Sequence, residues 1–347
     1  MAYPRERTVL VTGGAGFIGA NYLQMNCEAG SNLRYICLDS LTYAGNKLNV
    51  SGLERTGLFD FIRGDLNNVG LLDSSYGMFD PLKGYSNLDI IHFAADSHVD
   101  TSIDNPGSVV ANNVMGTLKL LEWMRKNAPD NRMVYISTDE VHGSTNLVNG
   151  KPVVTFDEDS PFNPTSPYAA SKAACEQLVN AYVRTYNLDI VITRSCNNYG
   201  KMQNVEKLIP TVISHALNDD RIPVYGDGSA AREWLHVEDN CEAIRTVFEG
   251  GEPGEVYMIG SGDVVMNIDI VAQICDIMQE LFPPLTVKHY FELVSFVKDR
   301  RAHDSCYAVN SSKIDNELGW EPVWSMEKGL RQTVEWYVKE WKEGRLK

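Results

Sequence analysis

The chain has 347 residues, 44% of them hydrophobic and 22% charged, with 27 Gly and 14 Pro, an ordinary globular composition that excludes a disordered, collagenous or repeat protein. Its 31 Lys and Arg face 46 Asp and Glu, a net charge of −15 with no basic block, which excludes nucleic acid as a partner because a polynucleotide backbone is repelled over most of the surface. No run of about 18 apolar residues occurs, the N-terminus lacks the apolar segment of a signal peptide, and the seven Cys form no CxxC pair. The sequence therefore predicts a cytoplasmic protein without a membrane span, with reduced thiols and no metal.

The first predicted strand, 8–11, runs directly into Gly13-Gly14-Ala15-Gly16-Phe17-Ile18-Gly19, a GxxGxxG at a strand-to-helix turn. Glycines suit that place because a Cβ would block the tight turn, the approach of a pyrophosphate to the backbone N–H groups, and close helix-sheet packing. The second strand, 35–38, ends at Asp39, 20 residues beyond Gly19, where a carboxylate accepts from an adenosine ribose and repels a 2′-phosphate. NAD is thus expected rather than NADP. After the third strand, 59–62, Asp65 is placed to meet the adenine amino group. The fourth, 89–93, ends in Ala94-Ala95, small enough for a cofactor to lie against the backbone.

Segment 112–127 repeats Val114, Leu118, Leu121 and Met124 at helical spacing, and the fifth strand, 133–136, leads into Ser137-Thr138. Segment 168–186 reads as one amphipathic helix, and the sixth strand is 190–193. Strand and helix alternation predicts α/β structure, a doubly wound parallel Rossmann sheet with helices on both faces. Beyond residue 200 the chain turns rich in Gly and Pro, which predicts a smaller C-terminal α/β substrate lobe over residues 201–347. Residues 1–200 form the NAD-binding domain in this reading, with parts of 235–265 returning to it.

Tyr168 and Lys172 open the long helix four residues apart and so share a face. An ammonium beside a phenol favours phenolate and lowers its pKa, as a base for a sugar hydroxyl requires. Ser137 and Thr138 offer hydroxyls to the same carbonyl or alcohol.

GxxGxxG, Ser137-Thr138 and YxxxK in that order resemble an extended short-chain dehydrogenase/reductase. Leu41-Thr42-Tyr43-Ala44-Gly45-Asn46, Ala94-Ala95-Asp96-Ser97-His98-Val99-Asp100, Ser137-Thr138-Asp139-Glu140-Val141, Asn197-Asn198-Tyr199-Gly200, Glu206-Lys207-Leu208-Ile209-Pro210, Arg232-Glu233-Trp234-Leu235 and His303-Asp304 narrow it. From residue 8 to about 340 the chain resembles the dTDP-glucose 4,6-dehydratases. The resemblance implies catalysis by Thr138, Asp139, Glu140, Tyr168 and Lys172, with Asp139 the acid and Glu140 the base of a water elimination. Two adjacent carboxyls can divide those roles if their surroundings push their pKa values apart.

It further implies a tightly bound, recycled NAD held by the loop glycines with Phe17, Ile18, Asp39, Ser40, Leu41, Thr42, Asp65, Leu66, Ala94, Ala95, Ser97, Tyr168, Lys172 and Asn198. A nucleotide-diphosphate sugar would meet Ser97, Thr138, Asn197, Glu206, Lys207, Leu208, Pro223, Tyr225, Arg232, Asn267, Arg300 and His303. Helices 112–127 and 168–186 would form the interface of a homodimer.

Departures from the family pattern fall mainly on the substrate side. The loop usually reading YGPxQxPEKLIP has Lys201 and Val205 for its prolines, the usual DRPGHDRRY reads Asp299 to Tyr307 with Arg301 gained, and His142 and Thr101 replace a Tyr and an Arg. dTDP-glucose is the expected substrate, with UDP-glucose and UDP-N-acetylglucosamine left open. A nucleotide-sugar 4-epimerase and a non-catalytic NAD-binding regulator also stay open. His142 either tunes Glu140 or packs, and Cys196 is expected to be a buried, inert thiol.

Overall fold

In the computed structural model, which describes residues 7–28, 33–70, 80–299, 301 and 303–345, all six predicted runs are strands of one sheet. They are β1 (Thr8–Thr12), β2 (Arg34–Asp39), β3 (Phe59–Arg63), β4 (Asp89–His92), β5 (Arg132–Thr138) and β6 (Asp189–Ser195), joined by β7 (Val256–Ile259). The order is β7-β6-β5-β4-β1-β2-β3, and every pairing is parallel. Order reverses between β1 and β4, and at such a switch point a crevice opens beyond the strands' C-terminal ends.

Period-2 alternation builds the two faces. Val9, Val11, Ile91, Val134 and Ile136 pack toward helices α1 (Phe17–Glu28) and 237–250, while Leu10, Ile90, Met133, Tyr135 and Ile190 pack on the opposite face with Leu120, Leu121, Cys175 and Val179. These last residues belong to α2 (Gly116–Asn127) and α3 (Pro167–Tyr186). Ser166 caps α3 by accepting from Ala169 N, and Pro167 occupies its first turn, so Tyr168 stands at the helix entry. The predicted helix 112–127 is not regular throughout: residues 111–115 form a π turn between a helix at 106–110 and α2.

A third apolar cluster gathers helices 208–217, 267–281 and 326–342. Short strands at 222–225 and 294–297 pair there, and a three-stranded sheet joins 197–199, 231–236 and 264–266 beside the end of β6. Arg300, expected among the substrate contacts, lies outside the described residues.

Candidate active site

A cleft with about 1430 Å³ of non-protein space, part of it open to solvent, lies over the switch point. Its floor is the turn after β1. Gly13 has φ +68°, and a Cβ there would come within 2.7 Å of Ala94 N; a Cβ on Gly19 would come within 2.5 Å of Gly13 O. Both positions need glycine for the protein's own packing. Gly16 differs: its Cβ would meet only Gly13 O, at 3.3 Å, and the residue faces the cleft.

Asp39 is buried, and its carboxylate accepts from Ala15 N (3.0 Å) and Leu41 N (2.8 Å). It therefore braces the glycine turn against the β2 loop, and carboxylate lone pairs remain beyond those two bonds. Asp65 caps the turn 66–68 by accepting from Asn67 N at 2.8 Å. Gly13, Gly16, Phe17, Ile18, Gly19, Asp39, Ser40, Thr42, Asp65, Leu66, Ala94, Ala95, Ser97, Tyr168 and Lys172 all line the cleft. Leu41 and Asn198 do not. Leu41, in the left-handed region at φ 56°, turns its side chain against the sheet core.

Glu206 and Lys207 close the mouth of the cleft, where Lys207 Nζ donates to Ser97 O at 3.2 Å. Their loop, which departs from the family pattern, is tied down on two sides: Asn21 donates to Lys201 O (3.0 Å), Lys201 pairs with Glu238 (3.6 Å), and Asn204 donates to Tyr43 O (3.3 Å). The sequence reading missed Asn112 and Asn113, which also line the cleft. Asn113 lies in the π turn and is buried, with its carboxamide bonded to Asp96 N (2.7 Å), Asp96 O (3.1 Å) and Ser171 Oγ (2.9 Å). Two consecutive asparagines in a helical segment were the signal, because this residue type is a poor helix former.

At the end of β5, Thr138 lies beside the Tyr168 phenol, and its hydroxyl opposes the rise of that phenol's pKa; it donates to Asp139 Oδ1 at 3.2 Å and accepts from Glu140 N at 3.3 Å. Burial, then Glu140 and Glu233, pushes the Asp139 carboxyl well above the usual range. Burial lowers Lys172 to about 8, and its ammonium donates to Ile136 O at 2.6 Å.

One expectation needs correction. Tyr168 is expected to be lowered, yet in the protein alone burial, then Glu140 and Asp139, raises it well above the ordinary phenol value. Ser137 lines the cleft, and its Oγ donates to Glu176 Oε1 at 2.5 Å.

The remaining expected substrate residues, Thr138, Asn197, Leu208, Pro223, Tyr225, Arg232, Asn267 and His303, stand outside the lining of this cleft. Arg232 is buried, donates to Asp304 O (2.9 Å) and Ala231 O (2.6 Å), and stacks over Tyr307 at 4.6 Å, near enough to Asp139 to oppose the rise of its pKa. Tyr225 and His303 form an edge-to-face pair at 6.5 Å, and His303 Nδ1 meets Asp299 at 2.6 Å. Pro223 pairs with Ser295 in a two-stranded sheet, and Leu208 packs against the third apolar cluster.

His142 packs. Its ring stacks on Phe156 and Phe162, its Nδ1–H donates to Pro161 O (3.1 Å), and its Nε2 accepts from Arg194 (3.0 Å). Burial and then Arg194 lower its pKa, so it is neutral. Cys196 is buried, and burial raises its thiol well above the ordinary value.

The family model described as GDP-mannose 4,6 dehydratase matches residues 10–333. The dTDP-glucose 4,6-dehydratase of Xanthomonas campestris pv. campestris (strain B100) is 42% identical over 98% of this chain and 96% of its own length. The chain belongs to the nucleotide-sugar 4,6-dehydratases. Among solved members, the dTDP-glucose 4,6-dehydratase of Streptomyces venezuelae, with NAD bound, is 39% identical with a TM-score of 0.84, covering 97% of this chain and 98% of that one. The Bacillus anthracis enzyme, also with NAD, is 37% identical with a TM-score of 0.82, over 97% and 98%. As in those dehydratases, the enzyme is an α/β Rossmann protein.

The residues present fit NAD. Gly16 leaves open the cradle that a Cβ would fill, and Asp39 keeps carboxylate lone pairs free at the cleft wall; outside the lining, Asn198 Oδ1 is buried with no protein partner. Asn197 Oδ1, Asn267 Oδ1, Glu206 Oε1 and Asp139 Oδ2 are orphaned in the same way, which is costly unless a ligand or water meets them. Among the described residues no helix is long and apolar enough to cross a membrane, and no group of three His, Cys, Asp or Glu is placed to hold a metal.

Proposed function

We propose that this enzyme converts dTDP-glucose to dTDP-4-keto-6-deoxyglucose. The observation that carries the reading is the placement of Asp139 and Glu140 at the end of β5, joined through Thr138 to Tyr168 beside a dinucleotide cleft. An epimerase needs the tyrosine and a reversible hydride transfer but no acid and base pair.

Gly13, Gly16, Gly19 and Asp39 would hold NAD, which would supply the acceptor for the C4 hydride and its return to C6. Tyr168, as phenolate, removes the O4 proton, and the positive charge of Lys172 stabilises that phenolate. The 4-keto group makes the C5 proton acidic, and Glu140 takes it. Asp139, kept protonated by its burial, gives its proton to the C6 hydroxyl, which leaves as water. Glu140 then gives its proton back to C5, which completes the product. Thr138 positions both Tyr168 and Asp139.

Arg232 and Lys207 offset diphosphate charge in this reading, with Asn197, Asn267, Tyr225, His303 and Arg300 around the nucleotide. Residues 1–200 carry the cofactor and 201–347 mainly the sugar nucleotide. The protein acts in the cytoplasm as a homodimer through helices 112–127 and 168–186; Val110, Met115 and Tyr186 expose apolar side chains on or beside that helix pair.

Incubation with dTDP-glucose, UDP-glucose and UDP-N-acetylglucosamine separately, followed by mass spectrometry, tests the reading. Loss of the mass of one water from dTDP-glucose alone is expected. Loss from a UDP-sugar instead overturns the nucleotide, and isomerisation at unchanged mass overturns the dehydration.

A further inference from the structure

Lys172 is only 4% exposed, yet the described residues give its ammonium no carboxylate partner. Two features of β5 hold it instead. Nζ donates to Ile136 O at 2.6 Å and stands 4.3 Å from the centroid of the Tyr135 ring. Strand alternation turns Tyr135 toward α3, where it is 1% exposed.

A carboxylate does lie nearby. Glu176, one helical turn beyond Lys172 and wholly buried, is taken by Arg194 at 2.8 Å and by Ser137 Oγ at 2.5 Å. Its bonds go to those two partners, and it reaches Lys172 only through space, where its charge favours the ammonium. A carboxylate bonded to Lys172 would hold the ammonium but would also cancel its field at Tyr168. A ring face and a carbonyl hold it without adding an opposing charge.

We propose that Tyr135 is a positioning residue of the dehydratase, its ring face keeping the Lys172 ammonium protonated and directed at Tyr168. The inference rests on the reading of Tyr168 as the base. The charged and titratable groups around Lys172 are few. Cys175 and Glu176 come from α3, Tyr135 from β5, and His92 from β4, with Tyr168 one helical turn before Lys172 on α3. His92 sits between Thr12 Oγ1 (2.7 Å) and Thr117 Oγ1 (3.1 Å), and burial lowers it to about 3, so it stays neutral across the working range. Lys172 itself is at about 8, so its deprotonation sets an alkaline limit to activity, and loss of the ring face brings that limit to lower pH.

The test replaces Tyr135 with Phe and then with singly, doubly and triply fluorinated phenylalanines by codon suppression, which weakens the ring's negative face at nearly constant shape. kcat and KM are measured against pH in the NAD-loaded enzyme. Tyr135→Phe should leave the alkaline limb in place, because the buried hydroxyl makes no hydrogen bond in the protein and the ring face is kept. The fluorinated series should move the limb stepwise downward, by about one pH unit for the triple form, with kcat affected and KM unchanged. A limb that ignores fluorination while Tyr168→Phe is inactive overturns the role of Tyr135 and leaves the base assignment standing. Full turnover by Tyr168→Phe overturns both.

Discussion

Ser137 and Thr138 are neighbours on β5 that face opposite ways: Ser137 Oγ donates to Glu176 Oε1 at 2.5 Å, while Thr138 Oγ1 reaches Asp139 Oδ1 at 3.2 Å and lies beside the Tyr168 phenol. The Ser137 hydroxyl is committed to a buried carboxylate, whereas that of Thr138 joins the groups assigned to the elimination. Thr138→Val should therefore lower kcat by about 10²-fold with little change in melting temperature, as loss of a donor at a reacting site does. Ser137→Ala should do the reverse, costing about 1 kcal/mol of stability with kcat nearly kept. Melting curves and steady-state kinetics on the two variants check the split; equal kinetic losses would refute it.

The Arg194–Glu176 pair behind that strand is 4% and 0% exposed. Arg194→Met leaves a buried carboxylate without its partner and should cost about 3–5 kcal/mol. Adding Glu176→Met removes the stranded charge. The double variant should be more stable than Arg194→Met alone, because two apolar side chains of similar bulk replace an ion pair whose desolvation was itself expensive. Denaturant melts of both variants measure this, and additive losses would contradict it.

What the sequence made legible depended on locality. Val9 to Val11 and Met133 to Ile136 alternate on their own, and the glycine turn with Asp39 lies within 27 residues, so the sheet, the cleft floor and the choice of cofactor could be read directly. The rest depends on distant contacts. Asn21 and Lys201 meet across 180 residues and Arg232 and Asp304 across 72, and nothing in either local pattern encodes those approaches. The π turn at Asn112-Asn113 was hidden because its flanks keep helical periodicity. The direction of Tyr168 failed for another reason: spacing places Lys172 on the same face, but burial and two carboxylates outweigh it in the protein alone.

Gly16 and Gly19 separate cofactor space from packing space. A Cβ at Gly16 has one near neighbour, Gly13 O at 3.3 Å, whereas at Gly19 it would lie 2.5 Å from Gly13 O and 2.8 Å from Gly14 Cα. Gly16→Ala should leave the stability of the cofactor-free protein nearly unchanged and weaken NAD binding by about tenfold or more, equivalent to about 1.4 kcal/mol. Gly19→Ala should cost about 1–3 kcal/mol of stability without NAD, through overpacking. Calorimetric titration with NAD and melts of the stripped protein distinguish them. Equal loss of stability in both would mean that Gly16 serves packing too.

Asp139 offers a test with a definite sign. It is 2% exposed, and burial, then Glu140 and Glu233, raises its folded pKa well above the value of about 3.9 that holds in an unfolded chain. Between those two values the folded protein keeps the proton and the unfolded chain has lost it, so stability is fully present below about pH 4 and falls as pH rises through the folded pKa. Asparagine cannot ionise. The stability difference between Asp139→Asn and the parent should therefore be smallest near pH 4 and grow with pH, by about 1.4 kcal/mol per unit until the folded pKa is reached. Carboxylates remote from Asp139 titrate alike in both proteins and cancel in the difference, leaving Asp139 with the two it is coupled to, Glu140 and Glu233. The same substitution should lower turnover by about 10²- to 10⁴-fold, because an amide cannot deliver a proton to the departing C6 hydroxyl. Denaturant melts of both proteins from pH 4 to pH 8 provide the measurement. A difference that stays flat would mean that Asp139 is ionised in the folded enzyme, and the acid of the elimination would have to be sought elsewhere.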